Sequence, residues 1–180
     1  FVLPTEEALA RWLRRTAALS QAPPNQAVMA FEAQLQRELS TMPDAVVQST
    51  EVQRMVRQRV GQQAYRQAML GYWGGACAVT GLALPQALRA SHAMPWAECL
   101  SDAERLDVFN GFLLSANLDA LFDSFLISFT DDGVLLVAEQ ISASEKGKLG
   151  LDDSMKLRWV AELHLSYLRF HRRRFFDSVV

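Results

Sequence analysis

His92, Asn110, Asp119 and Asp123 lie within one stretch, RASHAMPWAECLSDAERLDVFNGFLLSANLDALFD (residues 89–123), and their types suit one kind of chemistry. An imidazole titrates near neutral pH and is the usual general base there. Asp119 and Asp123 are four residues apart, so a helix would put both on one face, where they converge. Two carboxylates meeting at a point repel unless a positive charge sits between them, and a hard divalent cation held by oxygen ligands suits that geometry. The plainer alternatives are a structural histidine and a solvated helix face, with Leu118, Leu121 and Phe122 turned to the core.

These residues need elements that bring them together. The short apolar run into His92 predicts a strand that ends there, and Pro95 stops further pairing. Eighteen residues beyond His92, Asn110-Gly111 gives a turn signal, and the apolar run after it predicts a second strand. The Asn110 amide can bond backbone groups of the loop between the strands and fix where the first strand's end sits. ANLDALFD (residues 116–123) then predicts one or two helical turns. The layout is strand, long loop, strand, short helix.

Four segments in this order, CAVTG (77–81), RASHAMPW (89–96), NGFLLS (110–115) and LDALFD (118–123), resemble the HNH endonucleases, also called ββα-metal or His-Me finger nucleases. The resemblance is to a bacterial restriction-type subfamily, and RVGQQAYR (59–66) and HLSYLRFHR (164–172) are similar to its flanking segments. It implies that His92 takes a proton from the attacking water and that Asn110 orients the site. It also implies that the helix carries the metal ligands, with Asp119, Asp123 and Asn117 as candidates. Two positions depart from the family. Ser91 stands where many relatives place an acid or a second His, and Asn117 is an amide where several have a His; an amide oxygen binds a hard cation more weakly than a carboxylate does. Arg59, Gln62, Arg66, Arg89, Arg172 and Arg173 are the candidate DNA contacts.

The rest of the chain is consistent with support for this unit. Its 180 residues, half of them hydrophobic, are enough for one compact domain with a sizeable core. No run of eighteen apolar residues is present, so no membrane span is expected. The two cysteines, Cys77 and Cys99, form no CxxC pair, which fits a reducing cytoplasm and argues against a structural zinc knuckle. The chain begins at Phe1 rather than Met, which leaves room for a sensing domain ahead of it. A net charge of −2 argues mildly against a nucleic-acid partner, but the arginines cluster at 54, 57, 59 and 66 and again at 169 and 172–174, where they can neutralise phosphates.

Residues 1–48 read as a helical N-terminal extension without chemistry of its own, suited to packing on the nuclease or to a dimer contact. A helix is expected over Thr5–Gln21, broken by Pro23 and Pro24, and a second from Asn25 to about Leu39. Thr50 and Gln53 resemble a capping box that opens a third helix, ended near Tyr72 by GYWGG. Trp12, Met29, Phe31 and Met55 are expected in the core. CAVTG reads as a short strand and turn, Cys77 as a buried small hydrophobe, and Glu98, Asp102, Glu104 and Asp107 as a solvated loop. LISFTDDGVLLVA (126–138) predicts a hairpin through Asp-Asp-Gly, SASEKGKLGL (142–151) a polar loop, and residues from about Glu162 to Phe176 a last helix, with His164 and His171 in packing or phosphate contact.

The combined expectation is an α+β fold in which a ββα-metal finger is embedded in a mostly helical domain (residues 49–180, finger core about 77–129). Its activity would be hydrolysis of DNA phosphodiester bonds with one divalent ion, magnesium or manganese, and the resemblance implies a role in restriction of foreign or modified DNA. The competing readings are an HNH-fold DNA-binding module that no longer turns over, and a secreted nuclease effector with an immunity partner.

Overall fold

The computed structural model describes residues 5, 9, 10, 12, 13, 16, 26–43 and 47–177. Most of the helix expected over Thr5–Gln21, and the break at Pro23 and Pro24, lie outside them. Helix α1 (Gln26–Ser40) packs on the long helix α2 (Thr50–Tyr72). The contact is the stripe Val28, Phe31, Leu35 and Leu39 on α1 against Val56 and Val60 on α2, at the spacing of one helical face. Phe31 is in the core as expected. Met29 and Met55 are not: each sits one residue off its stripe and is 68% and 63% exposed. Trp12 is likewise exposed at 45%. The start of α2 also differs from expectation by one residue, since Ser49 rather than Thr50 is the cap and its hydroxyl accepts from Val52 N–H.

The far end of α2 stops where expected, at Trp73-Gly74-Gly75. Both glycines are left-handed, and Gly75 N–H reaches back to Leu70 C=O at 2.7 Å, which closes the helix. CAVTG follows as a turn, not a strand. Val79 and Thr80 N–H point at the Cys77 sulfur, Gly81 N–H bonds Cys77 C=O, and Ala78 N–H ties the turn to Leu113 C=O. A two-stranded antiparallel ribbon then forms from β1 (Leu88–His92) and β2 (Gly111–Ser115), in register from Leu88↔Ser115 to His92↔Gly111. Between them lies a loop with one short helix, α3 (Asp102–Leu106). Strand β2 is buried along its whole length and runs directly into helix α4 (Ala116–Asp123).

Beyond α4 the chain reverses at Phe125 (φ 55°) into the expected hairpin of β3 (Ile127–Phe129) and β4 (Leu135–Val137). The stretch expected as a polar loop instead contains helix α5 (Ala143–Leu149). A full capping box, Ser142 with Glu145, opens it, and left-handed Gly150 closes it. The last helix, α6 (His164–Asp177), buries His164, Leu168, His171 and Phe175 against the finger. One hydrophobic core joins α1, α2, β2, α4, β3 and α6, so the ribbon and α4 stand on a continuous apolar support. The fold is α+β, as expected.

One backbone approach fixes the ribbon's open end. Gly111 has φ 148°, and a Cβ there would lie 1.9 Å from Ser91 C=O and 2.5 Å from the Tyr65 hydroxyl. No side chain fits without separating β1 from β2. Gly111→Ala is therefore expected to destabilise the protein by at least about 2 kcal/mol, through strain and a displaced strand, as measured by urea unfolding.

Candidate active site

The loop between β1 and β2 is closed by one buried side chain. Asn110 is 0% exposed. Its Oδ1 accepts from Met94 N–H at 2.8 Å, and its Nδ2 donates to Glu104 C=O at 3.1 Å and Met94 C=O at 3.3 Å. The amide thus does for the loop what a ladder does for a strand, and removing it would leave several buried backbone groups unpaired. Arg105 completes the closure from the other side, donating to Trp96 C=O and Cys99 C=O and pairing with Asp102.

This loop aims a carbonyl at the histidine. His92 Nε2 lies 2.8 Å from Arg105 C=O. A carbonyl can only accept, so Nε2 carries the proton and Nδ1 keeps its lone pair. Nδ1 has no hydrogen-bond partner among the described residues. Burial holds the imidazole below its ordinary value, with the bond to Arg105 C=O opposing, so the ring is neutral at physiological pH and Nδ1 is a base in waiting.

His92 shares a cavity of about 520 Å³ with Asp119 and Asp123. Helix α4 puts both carboxylates on its outer face while Leu118, Leu121 and Phe122 go inward. The Ser91 hydroxyl donates to Asp119 Oδ1 at 2.6 Å, so the residue preceding the histidine orients a carboxylate. Partial burial, then the negative charge of Asp119, push the Asp123 carboxyl up to about 6. The residue is exposed as a whole, so burial acts on the carboxyl at the cavity's edge.

His171 also lines the cavity, but its ring is spent on structure. It stacks on Phe122 at 3.7 Å, Nε2–H donates to Phe122 C=O and Nδ1 accepts from Ser128. Burial, opposed by the Phe122 bond, lowers it to about 4. His164 is fully buried among aromatic rings and accepts Ala161 N–H on Nδ1. Both rings are packed in the core, as the packing expectation had it.

Several site expectations need correction. Asn117 turns away from the cavity, donating to Leu149 C=O and accepting from Ser115. One helical position separates it from Leu118, which is buried, and two from Asp119, which faces the site. The acidic residues of the loop are not a solvated set. Asp102 pairs with Arg57 and Arg105, Glu104 accepts from Leu100 N–H, Glu98 pairs with Arg174, and Asp107 accepts from Tyr167 and Phe109 N–H. None of the four lines the cavity.

Of the candidate DNA contacts, Gln62, Arg66 and Arg89 line the cavity; Arg59, Arg172 and Arg173 do not. Arg59 pairs with Glu38, Arg172 with Asp131 and Phe129 C=O, and Arg173 lies over the Phe170 ring. Arg66 is itself engaged, bonding Leu88 and Pro85 C=O at 2.7 Å.

With strand, loop, strand and helix assembled around His92, Asn110 and an acidic pair, the class of the unit is defined. Residues 77–130 match the family of HNH endonucleases and form an HNH endonuclease domain, a nuclease unit with DNA as its substrate class. No curated protein matches the chain. Among the described residues, no group of three or more His, Cys, Asp or Glu side chains gathers to hold an ion, and no helix is long and apolar enough to cross a membrane.

The raised Asp123 pKa has a measurable consequence for the metal-free protein. The folded state keeps a proton that the unfolded state releases between about pH 4 and 6, so stability falls as pH rises through that window. Asp123→Asn is expected to raise Tm in chelating buffer at about pH 8 and to raise it less at about pH 4.5, as read by calorimetry.

Proposed function

We propose that this protein is a metal-dependent endonuclease hydrolysing DNA phosphodiester bonds, with a role in restriction or defence against foreign or modified DNA. The observation that carries the reading is the cavity lined together by His92, whose Nδ1 has no hydrogen-bond partner among the described residues, and by Asp119 and Asp123. The acidic pair fits a hard cation: two like charges on one face, one of them pushed toward its protonated form, are relieved by a dication between or beside them. With two carboxylates from the chain, water and substrate oxygens would complete the shell, as is usual for magnesium. The ion's contribution would be to stabilise negative charge on the phosphate and on the leaving oxygen.

The chain's own residues do the rest. His92 Nδ1 accepts the proton of a water that attacks the phosphorus, and Nε2–H to Arg105 C=O keeps the ring in the required tautomer. Burial keeps His92 uncharged until the proton arrives. Ser91 holds the Asp119 carboxylate in place. Gln62 and Arg89 line the cavity and would take phosphate oxygens, although the Arg89 guanidinium also bonds Gln86 and Leu88 C=O, while Arg66 secures the start of β1. A second reading, a DNA-binding module that no longer cleaves, is favoured by the small number of ligating side chains.

Nicking of supercoiled plasmid separates the two. The endonuclease reading expects cleavage with magnesium or manganese, none with chelator, and a loss of at least about 100-fold in His92→Ala. Asn117→Ala is expected to cleave like the wild type, because its amide points away from the cavity. DNA retardation without cleavage under every metal condition would establish the binding module instead.

A further inference from the structure

Outside the segment that matches the HNH family, helix α2 contributes one side chain that touches His92, Ser91 and Asn110 together. Tyr65 is fully buried. Its ring stacks on the His92 imidazole, with centroids 3.8 Å apart and an interplanar angle of 19°. Its hydroxyl donates to Asn110 C=O at 2.9 Å and approaches Ser91 C=O at 3.3 Å. Burial, then neighbouring negative charge led by Asp107, keeps the phenol protonated, so the hydroxyl is always a donor.

The second wall of the slot comes from the loop. Trp96 meets the imidazole edge-on, with centroids 5.8 Å apart. Trp96 in turn lies over Gly61, one helical turn before Tyr65, where a Cβ would fall 2.4 Å from the indole. Gly61 and Tyr65, at i and i+4, therefore present one face of α2 to both walls. With the loop carbonyl of Arg105 on Nε2, the ring can neither tilt nor turn over without breaking a stack or a hydrogen bond.

We propose that Tyr65 is a positioning residue for the nuclease reaction, whose ring holds His92 with Nδ1 open to the cavity and whose hydroxyl clamps the ends of β1 and β2 beneath it. The inference rests on His92 being the base. Ring and hydroxyl have separable jobs. The face of the phenol sets the plane of the imidazole, and a misplaced base loses rate steeply because proton transfer depends on alignment. The hydroxyl bridges two carbonyls at the point where Gly111 lets the strands touch, so it fixes the strand ends rather than the ring.

The imidazole 15N spectrum reads the orientation directly, because the chain has three histidines and His92→Ala identifies the signal. In the wild type, His92 is expected as a fixed Nε2–H tautomer. Tyr65→Phe keeps the stack and should keep that signature, with kcat reduced by less than about 10-fold. Tyr65→Leu removes the face, so the His92 signal should average between tautomers. Its kcat should then fall by at least about 100-fold while KM for DNA stays within about 3-fold. If the leucine variant does not fold, Tyr65→Met, which fills the space with a flexible thioether, carries the same expectation.

A fixed Nε2–H signature and near-normal kcat in either variant without the ring would overturn the proposal, as would loss of the signature in Tyr65→Phe. If His92→Ala cleaves DNA at the wild-type rate, the role of His92 as base falls. The spectrum would still decide whether Tyr65 holds the ring.

Discussion

The site depends on a single buried amide. Asn110 takes up Met94 N–H, Met94 C=O and Glu104 C=O at once, and so converts the long connection between β1 and β2 into a fixed arch. Each bond is worth only about 1 kcal/mol net, but leaving the same groups buried and unpaired costs more than the bonds gain. The residue after Glu104 is Arg105, whose carbonyl sets the His92 tautomer. A constraint on loop backbone thereby becomes a constraint on a proton. Gly111, next to Asn110, allows the strand contact on which this arrangement closes.

Electrostatics divides the cavity into two opposed halves. On one side, an imidazole is kept neutral by burial, against the opposing pull of the carbonyl that accepts its Nε2 proton and fixes its tautomer. On the other, two carboxylates share a helix face, and one of them resists ionisation because of burial and its neighbour's charge. Positive charge beside the acids would relieve the second half, whereas burial opposes charge on the imidazole until a proton is delivered to it.

Much of this was legible in the sequence because the relevant signals are local. The strand ending at His92, the Asn-Gly turn, the i and i+4 acids and the Asp-Asp-Gly hairpin each follow from residue types within a few positions. Misreadings arose where one residue of phase decides a side chain's fate. Met29 and Met55 lie beside the apolar stripes rather than on them, and Asn117 lies just outside the face that carries Asp119. The stretch SASEKGKLGL looked like a loop because of its polar composition, yet Ser142 and Glu145 already spelled a capping box. The loop acids depended on distant partners, such as Arg57 and Tyr167, which no spacing rule reveals. Tyr65 was hidden for the same reason: its contacts with His92 and Asn110 span 27 and 45 positions of the chain.

The central claim is that one cavity brings a cation held by the two acids of α4 within working reach of an imidazole on β1. Anomalous diffraction from crystals grown with manganese tests it most directly. The account predicts a peak bound by the Asp119 and Asp123 carboxylates in the cavity lined by His92, absent when both acids are changed to Asn. A peak elsewhere on the protein, with those carboxylates bound only to water, would contradict it.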